Sequence, residues 1–149
     1  MSSTAPTEKH DGQDQEERRL HHIGFVLKSI TAAIQDFAKS VSCTWDGTLI
    51  FDPLQKVRVA FLKGSAQGEP LIELVEPAGE DSPVNAFLAR GSGLHHLCFE
   101  VNNLDAELHK ARGLGGLTVR QPLPAIAFAG RRIAWVYTKN GLLLEYLEK

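Results

Sequence analysis

The sequence predicts an α+β fold made of two βαβββ modules, because the chain contains one pattern twice. Residues 20–26 (LHHIGFV) recur as residues 94–100 (LHHLCFE), and a run with two carboxylates, residues 71–76 (LIELVE), recurs as residues 143–148 (LLEYLE). The offsets are 74 residues (22 to 96) and 72 residues (73 to 145). Self-similarity at a fixed spacing indicates a duplicated unit. Packed about a pseudo-twofold axis, two such units would bring two imidazoles and two carboxylates to one point, which predicts a metal site.

The folded part of the chain is expected to be a single domain over residues 19–149. The first 18 residues are polar and contain no aromatic or β-branched aliphatic residue, so we predict a disordered tail at residues 1–18. The remaining length suits one core shared by two modules. We place module 1 at about residues 19–79, a linker at residues 80–92 and module 2 at about residues 93–149.

Hydrophobic periodicity defines the elements of module 1. Residues 20–27 alternate as a strand does, and apolar residues recur at helical spacing over residues 29–40, with Ser29 or Thr31 as the cap. Apolar runs bounded by turn residues then predict three further strands, at residues 45–51, 57–62 and 71–75.

The linker and module 2 follow the same logic. Asp81-Ser82-Pro83 suits a helix start, with the proline at the first helical position. The apolar segment at residues 122–130 contains two prolines and is expected to be a loop. Module 2 is predicted to have a strand at residues 94–101, a helix at residues 104–112, and strands at residues 118–121, 133–137 and 142–147.

The composition argues against nucleic acid and membranes as binding partners. The net charge of −2 gives no electrostatic reason to expect nucleic acid or an anionic membrane. The N-terminus has no apolar segment typical of a secretory signal, and no uncharged stretch is long enough to span a bilayer. The two cysteines, Cys43 and Cys98, form no disulfide framework. We therefore expect a cytoplasmic protein that binds a small-molecule substrate.

Strand alternation selects one histidine of each pair, because residues two apart share a face. His21 is in phase with the bulky residues of the first strand, and His95 is in phase with those of the repeat, on faces that should pack against the helices. His22 and His96 then face the concave side as candidate ligands. His21 and His95 are expected at the strand edge or as supporting neighbours of the ligands.

The glutamates are selected by their surroundings. Glu73 and Glu145 are flanked by apolar residues on both sides, and a charge in mid-strand is costly unless it is paired or bound to metal. Glu76 precedes a proline and Glu148 is penultimate, so both are expected to reach water. Glu73 and Glu145 complete the candidate metal ligands. Cys98 shares the predicted face of His96 but is expected to be a small buried apolar residue.

These motifs resemble the vicinal oxygen chelate (glyoxalase/bleomycin resistance/dioxygenase) superfamily, and within it the methylmalonyl-CoA epimerase family most closely. The resemblance covers about residues 20–148. Its most specific parts are Gly-Glu-Asp-Ser-Pro at residues 79–83 and Gly-Leu-His-His-Leu at residues 93–97. Weaker parts are the strands at residues 22–26, 57–62, 72–77, 99–101 and 143–145.

The resemblance implies two βαβββ modules that form a shared open, cup-shaped mixed β-sheet with flanking helices. It implies a divalent metal ion in the cup, held by His22, Glu73, His96 and Glu145. It further implies that the metal binds substrate oxygens and stabilises an enolate while a carboxylate moves a proton on the adjacent carbon. Homodimers are common in the superfamily, so a homodimer is expected.

The chain departs from the epimerase pattern at one base position. Leu54 stands where the family has a glutamate before a glutamine, so our candidates for the catalytic base are Glu145 and Glu73. Ligands of nitrogen and oxygen without thiolate suit Zn²⁺, Ni²⁺, Co²⁺ or Mn²⁺. Arg131 and Arg132 are candidates to hold a substrate carboxylate or a CoA phosphate, or are solvated turn residues.

The sequence therefore predicts a metal-dependent isomerase or epimerase that moves a proton on a carbon next to a carbonyl, for example of an acyl-CoA. One alternative is a glyoxalase I-type lyase acting on a thiol hemithioacetal, because that enzyme also uses two histidines and two glutamates. A second is an Fe(II) dioxygenase, which favours two histidines and one carboxylate. A third is a non-catalytic small-molecule-binding protein of the same fold.

Overall fold

Nine strands form one open mixed sheet in residues 18–149, the part of the chain that this computed structural model describes. The predicted tail, residues 1–18, lies outside that part except for Arg18. The strands are β1 (Arg19–Val26), β2 (Thr44–Trp45), β3 (Ile50–Asp52), β4 (Val57–Lys63), β5 (Leu71–Pro77), β6 (Gly93–Val101), β7 (Leu117–Pro124), β8 (Arg132–Tyr137) and β9 (Leu143–Glu148). The helices are α1 (Ile30–Ser40), α2 (Asn85–Leu88) and α3 (Leu104–Gly113), with a 3₁₀ turn at Ile126–Phe128.

The sheet order shows the duplication. It runs β2-β4-β5-β1-β6-β9-β8-β7, with β3 paired to β4. Each module pairs its first strand with its last in parallel, β1 with β5 and β6 with β9. The two first strands, β1 and β6, then pair with each other antiparallel at the centre. The predicted α+β fold with an open mixed sheet is confirmed, and the equivalent strands of the two modules meet in the middle of the molecule.

The helices cover one face of the sheet. Ile30 and Ile34 of α1 pack with Leu74 in module 1, and Leu104 and Leu108 of α3 occupy the corresponding place in module 2. All five side chains are almost completely buried. This apolar layer leaves the opposite face of the sheet for the site. No helix in residues 18–149 is long and apolar enough to cross a membrane.

Most boundaries lie within two residues of the sequence prediction, and three of the differences concern turns or prolines. The predicted strand 45–51 is divided into β2 and β3 by a turn at Gly47, whose φ of +88° favours glycine. Helix α2 begins at Asn85 rather than at Pro83, and the Asn85 side chain donates to the carbonyls of Gly79 and Glu80 in the preceding turn. Strand β7 continues to Pro124, since an edge strand tolerates proline.

Glu76 and Glu148 do not simply reach water. Glu76 Oε2 accepts the backbone N–H of Ile30 at 2.6 Å, and Glu148 Oε1 accepts that of Leu104 at 3.2 Å. Each carboxylate therefore accepts a hydrogen bond from the first residue of a helix. At this end of a helix the backbone N–H groups lack partners and the helix dipole favours a negative charge. Both carboxylates are also paired with arginines, Arg58 and Arg132. Both remain partly exposed, as expected, and each has a structural role that the sequence did not indicate.

Candidate metal centre and active site

The four residues selected from the sequence come together in the structure. His22 Nε2 lies 3.3 Å from Glu73 Oε2 and 3.0 Å from Glu145 Oε2. His96 Nε2 lies 3.2 Å from both carboxylate oxygens and 3.1 Å from His22 Nε2. All four side chains are buried, and their ligand atoms lie within 4.8 Å of one another.

These separations fit a divalent cation. At metal–ligand distances of about 2.1 Å, neighbouring ligand atoms stand about 3.0 Å apart in octahedral geometry and about 3.4 Å apart in tetrahedral geometry. The Oε2 atom of Glu145 is buried and receives no hydrogen-bond donor among residues 18–149, although two imidazole nitrogens stand beside it. When the imidazole nitrogens are unprotonated, their lone pairs face this oxygen, and a cation between them would remove the repulsion. The donor set therefore suits Zn²⁺, Ni²⁺, Co²⁺ or Mn²⁺.

The second histidine of each pair supports the first. The register of β1 against β6 shifts at His21 and again at His95, so each lies in a β-bulge without a partner across the central strand pair. A bulge re-aims a side chain that alternation would place on the other face. As a result, His21 Nδ1 lies 2.8 Å from His22 Nδ1, and His95 Nδ1 lies 2.9 Å from His96 Nδ1. This hydrogen bond can hold the proton on Nδ1 of each candidate ligand and leave Nε2 free.

The pKa values of the candidate ligands His22 and His96 shift in the opposite direction to that of the neighbouring His95. Burial would lower the pKa of His22 and of His96, but the carboxylates of Glu73 and Glu145 outweigh burial and raise both pKa values. Burial would likewise raise the pKa of each glutamate, yet the two imidazoles hold both below the ordinary value. In contrast, burial lowers the pKa of His95 to about 4, with a further contribution from His96. His95 is therefore neutral near pH 7 and able to accept a hydrogen bond from Nδ1 of His96.

A cavity of about 340 Å³ adjoins the four residues. Glu73, His96 and Glu145 form part of its wall, so a bound molecule could reach the candidate ligands. Much of the remaining wall is apolar, including side chains of Val59, Phe128, Ile133, Trp135 and Leu143. A mostly apolar cavity with a few placed polar groups is typical of a small-molecule site.

Residues 21–135 match the family described as the Glyoxalase/Bleomycin resistance protein/Dioxygenase superfamily. The chain belongs to this superfamily. The predicted membership is confirmed, and it agrees with the duplicated sheet and the four converging side chains.

Similar proteins of this superfamily include both uncharacterized and named members. The uncharacterized protein YqjC of Bacillus subtilis is 33% identical over 133 residues, which covers 87% of this chain and 91% of YqjC. An ethylmalonyl-CoA/methylmalonyl-CoA epimerase of Cereibacter sphaeroides is 28% identical over 131 residues, covering 85% of this chain and 95% of the epimerase. The crystal structure of methylmalonyl-CoA epimerase from Mycobacterium tuberculosis superposes with a TM-score of 0.75 at 26% identity, covering 87% of each chain.

Arg131 and Arg132, the two arginines selected from the sequence, do not contact the cavity. Arg131 donates to Glu100 at 3.0 Å, and Arg132 donates to Glu148 at 2.8 and 2.9 Å. Neither lines the cavity, whereas Arg90 and Arg120 do. We predicted that Arg131 and Arg132 hold a substrate anion. This stays a prediction, and no contact with the cavity supports it.

The residue at the usual epimerase base position also lies outside the cavity wall. The Leu54 side chain is 46% exposed, and the next residue, Gln55, lines the cavity instead. Cys98 is fully buried, and burial raises the pKa of its thiol, so it remains the small neutral residue that we expected.

Sequence reasoning missed several residues of the site. Gly24 lies directly opposite His96 and leaves room for its imidazole. The cavity-lining side chains of Asp52, Gln55 and Arg120 were not selected either, because turn residues and an edge-strand arginine carry no periodic signal. The one available signal was the repeat itself, since Gly24 and Cys98 stand at equivalent positions and interrupt the apolar pattern of their strands.

Proposed function

We propose that this chain is a divalent-metal-dependent epimerase that moves a proton on the carbon next to the carbonyl of an acyl-CoA, in the manner of the methylmalonyl-CoA epimerases. The observation that carries the proposal is the convergence of two imidazoles and two carboxylates beside a mostly apolar cavity, with three of the four residues in its wall. The similarity to named epimerases over most of the chain supports the same reaction class.

In this proposal, one set of residues binds the cation and another set orients the cation's ligands. His22, Glu73, His96 and Glu145 would hold the cation, and His21 and His95 would fix the orientation of the two imidazoles. A divalent cation supplies Lewis acidity, which lowers the cost of negative charge on a carbonyl oxygen. The four candidate ligands are buried, which strengthens the charge interactions among them.

Glu145 and Glu73 would move the proton. They belong to different modules, since Glu73 lies in β5 and Glu145 lies in β9. An epimerase removes a proton from one side of a carbon and returns one to the other side, and two carboxylates from opposite modules suit that task. Both are ionised at neutral pH, and an ionised carboxylate within reach of the migrating proton can accept it.

The test is proton exchange. The purified protein, after elemental analysis of its metal, is incubated with methylmalonyl-CoA in deuterated water, and we expect deuterium at the carbon between the two carbonyl groups. Glu145→Gln should reduce exchange by at least about 100-fold while sparing much of the metal binding. Glu80→Gln, at an exposed position, is the matched control. Full exchange in Glu145→Gln would remove that residue from the mechanism, and absence of exchange with all four candidate metals would reject the epimerase.

A glyoxalase I-type lyase is the second candidate, and a specific observation favours it. Both carboxylates reach the candidate metal position, which is the two-histidine, two-glutamate set that glyoxalase I uses. Conversion of the methylglyoxal–glutathione adduct at a higher rate than methylmalonyl-CoA exchange would favour the lyase. Metal-free protein that is inactive on both substrates would favour a non-catalytic binder. The four converging ligands argue against the dioxygenase, which needs only three.

A further inference from the structure

A buried amide in the cavity wall lacks a hydrogen-bond acceptor. Gln55 lies in the turn between β3 and β4, is only 7% exposed, and lines the cavity together with Glu73 and Glu145. Its Nε2 atom is buried and has no partner among residues 18–149. Because a buried donor without an acceptor is destabilising, such an atom points to a ligand that completes it.

Arg120 determines which end of that amide is left without a partner. Arg120 Nη1 donates to Gln55 Oε1 at 2.9 Å, and Nη2 donates to the carbonyl oxygen of Leu54 at 2.7 Å. A guanidinium only donates, so the amide oxygen must face Arg120 and the NH₂ group must be the free end. The available group is therefore a donor, and its ligand must offer an acceptor.

The turn that carries Gln55 is rigid. Asp52 Oδ1 accepts the backbone N–H groups of Leu54 and Gln55, both at 3.0 Å, and Asp52 Oδ2 accepts that of Ile126 at 2.9 Å. These bonds tie the turn of module 1 to the 3₁₀ turn of module 2. A donor held in this way loses little freedom when it meets a ligand.

The charges of the wall favour an anionic acceptor. Glu73 and Glu145 face the two imidazoles, and the carboxylate of Asp52 is occupied by three backbone N–H groups. The cations that line the same cavity are Arg90 and Arg120. Because the donors of Arg120 are occupied by Gln55 and Leu54, a carboxylate would gain chiefly from Arg90, whereas a neutral carbonyl would gain little from it.

We propose that Gln55 Nε2 donates to a carboxylate that the substrate carries in addition to its reactive carbonyl, and that Arg120 is the positioning residue that orients this amide. The inference rests on the proposed function, and it assigns recognition of the free carboxylate to one residue of this chain. Gln55 is then a specificity-determining residue, because it distinguishes a malonyl-type thioester from a simple acyl thioester.

Calorimetric titration with methylmalonyl-CoA and with propionyl-CoA, which lacks the carboxylate, tests the proposal. Gln55→Leu should weaken binding of methylmalonyl-CoA about tenfold and leave that of propionyl-CoA within about twofold. Gln121→Leu, at an exposed position on β7 outside the cavity wall, is the matched control and should change neither. An equal loss for both thioesters, or no loss for either, overturns the proposal, since the amide would then serve the common part of the ligands or only a water molecule.

The role of Arg120 is tested by a double-mutant cycle. Arg120→Leu should reduce the preference for methylmalonyl-CoA, and adding it to Gln55→Leu should reduce the preference no further, because Arg120 acts through Gln55. Arg120→Lys, which retains one donor for the amide oxygen, should recover part of the preference. Additive losses would show that Arg120 binds the carboxylate by itself and would overturn its positioning role.

Failure of the proposed function gives a different result. If the wild-type protein binds neither thioester, the acyl-CoA assignment fails, and thermal shifts are compared with free methylmalonate and free propionate. A larger shift with methylmalonate that disappears in Gln55→Leu supports the carboxylate site. Equal shifts in the wild type and in Gln55→Leu reject it.

Discussion

Gly24 and His96 face each other across the central antiparallel pair of β1 and β6, and the imidazole occupies the space that a side chain at Gly24 would need. A Cβ atom built on Gly24 overlaps the imidazole ring of His96. At the equivalent place in the other module, Cys98 lies opposite His22. The candidate metal centre thus depends on a residue that offers no ligand atom.

Gly24→Ala should displace the His96 ring and reduce metal affinity by at least about tenfold, because ligand orientation is set by the residues around it. Competition with a chelator dye measures the affinity, and far-ultraviolet circular dichroism confirms that the sheet is retained. Gly113→Ala is the control, since a Cβ there meets no atom within 4 Å. Unchanged metal affinity in Gly24→Ala would show that His96 has room to move without leaving the metal position.

Loss of a supporting histidine should also weaken the metal centre. His95→Phe removes the acceptor for Nδ1 of His96 while keeping a ring between Phe87 and Trp135. We expect metal affinity to fall by about 10-fold to 100-fold, as for other residues that orient metal ligands. The exposed His109 provides the control variant His109→Phe. Equal affinity in His95→Phe and the wild type would contradict the supporting role.

Metal affinity should rise with pH above the ordinary histidine range. The carboxylates of Glu73 and Glu145 raise the pKa of His22 and of His96 against the effect of burial, so the metal-free protein holds these protons above pH 6.5. A cation needs the unprotonated nitrogen and must displace them. Affinity measured at about pH 6, 7 and 8 should increase by about tenfold per pH unit for each proton released. Affinity that is constant over this range would contradict the raised pKa values.

The stability of the metal-free protein should follow the opposite trend. Groups whose pKa is raised on folding stabilise the folded state below the unfolded pKa and lose that contribution as pH rises through the folded pKa. The Tm of chelator-treated protein should therefore fall as pH increases from about 6 to 9, and addition of Zn²⁺ should remove the decline. A Tm that rises over the same range without metal would show that the imidazoles are neutral at pH 6.

Glu76 should matter for stability and not for the metal. Glu76→Ala removes the acceptor for the backbone N–H of Ile30 at the start of α1, and we expect the free energy of unfolding to fall by about 1 kcal/mol. Glu80→Ala, at an exposed position, should change it by less than about 0.5 kcal/mol. Urea denaturation measures both variants. A loss of metal affinity in Glu76→Ala would show that the helix side of β5 is coupled to Glu73.

The repeat determined the architecture and the main site residues. Recurrence of the two motifs predicted two modules of the same order, and alternation along each strand selected His22 and His96 over their neighbours. The carboxylates followed from the cost of burying a charge, which left Glu73 and Glu145 in mid-strand. The four side chains that lie together in the structure could be selected in this way because a two-residue period and an apolar environment are local properties that a sequence records directly.

The contacts that complete the site depend on the tertiary structure. Two register shifts between β1 and β6 bring His21 and His95 to the ligand imidazoles, and strict alternation predicts the opposite face for both. Arg120 meets Gln55 across 65 residues of chain, in a pairing that no local pattern encodes. A bulge and a long-range hydrogen bond depend on how separate segments pack, so only the folded chain decides them. The sequence by itself therefore determined which candidate metal ligands the strands carry, and the packing decided how those groups are oriented and what else a bound molecule would meet.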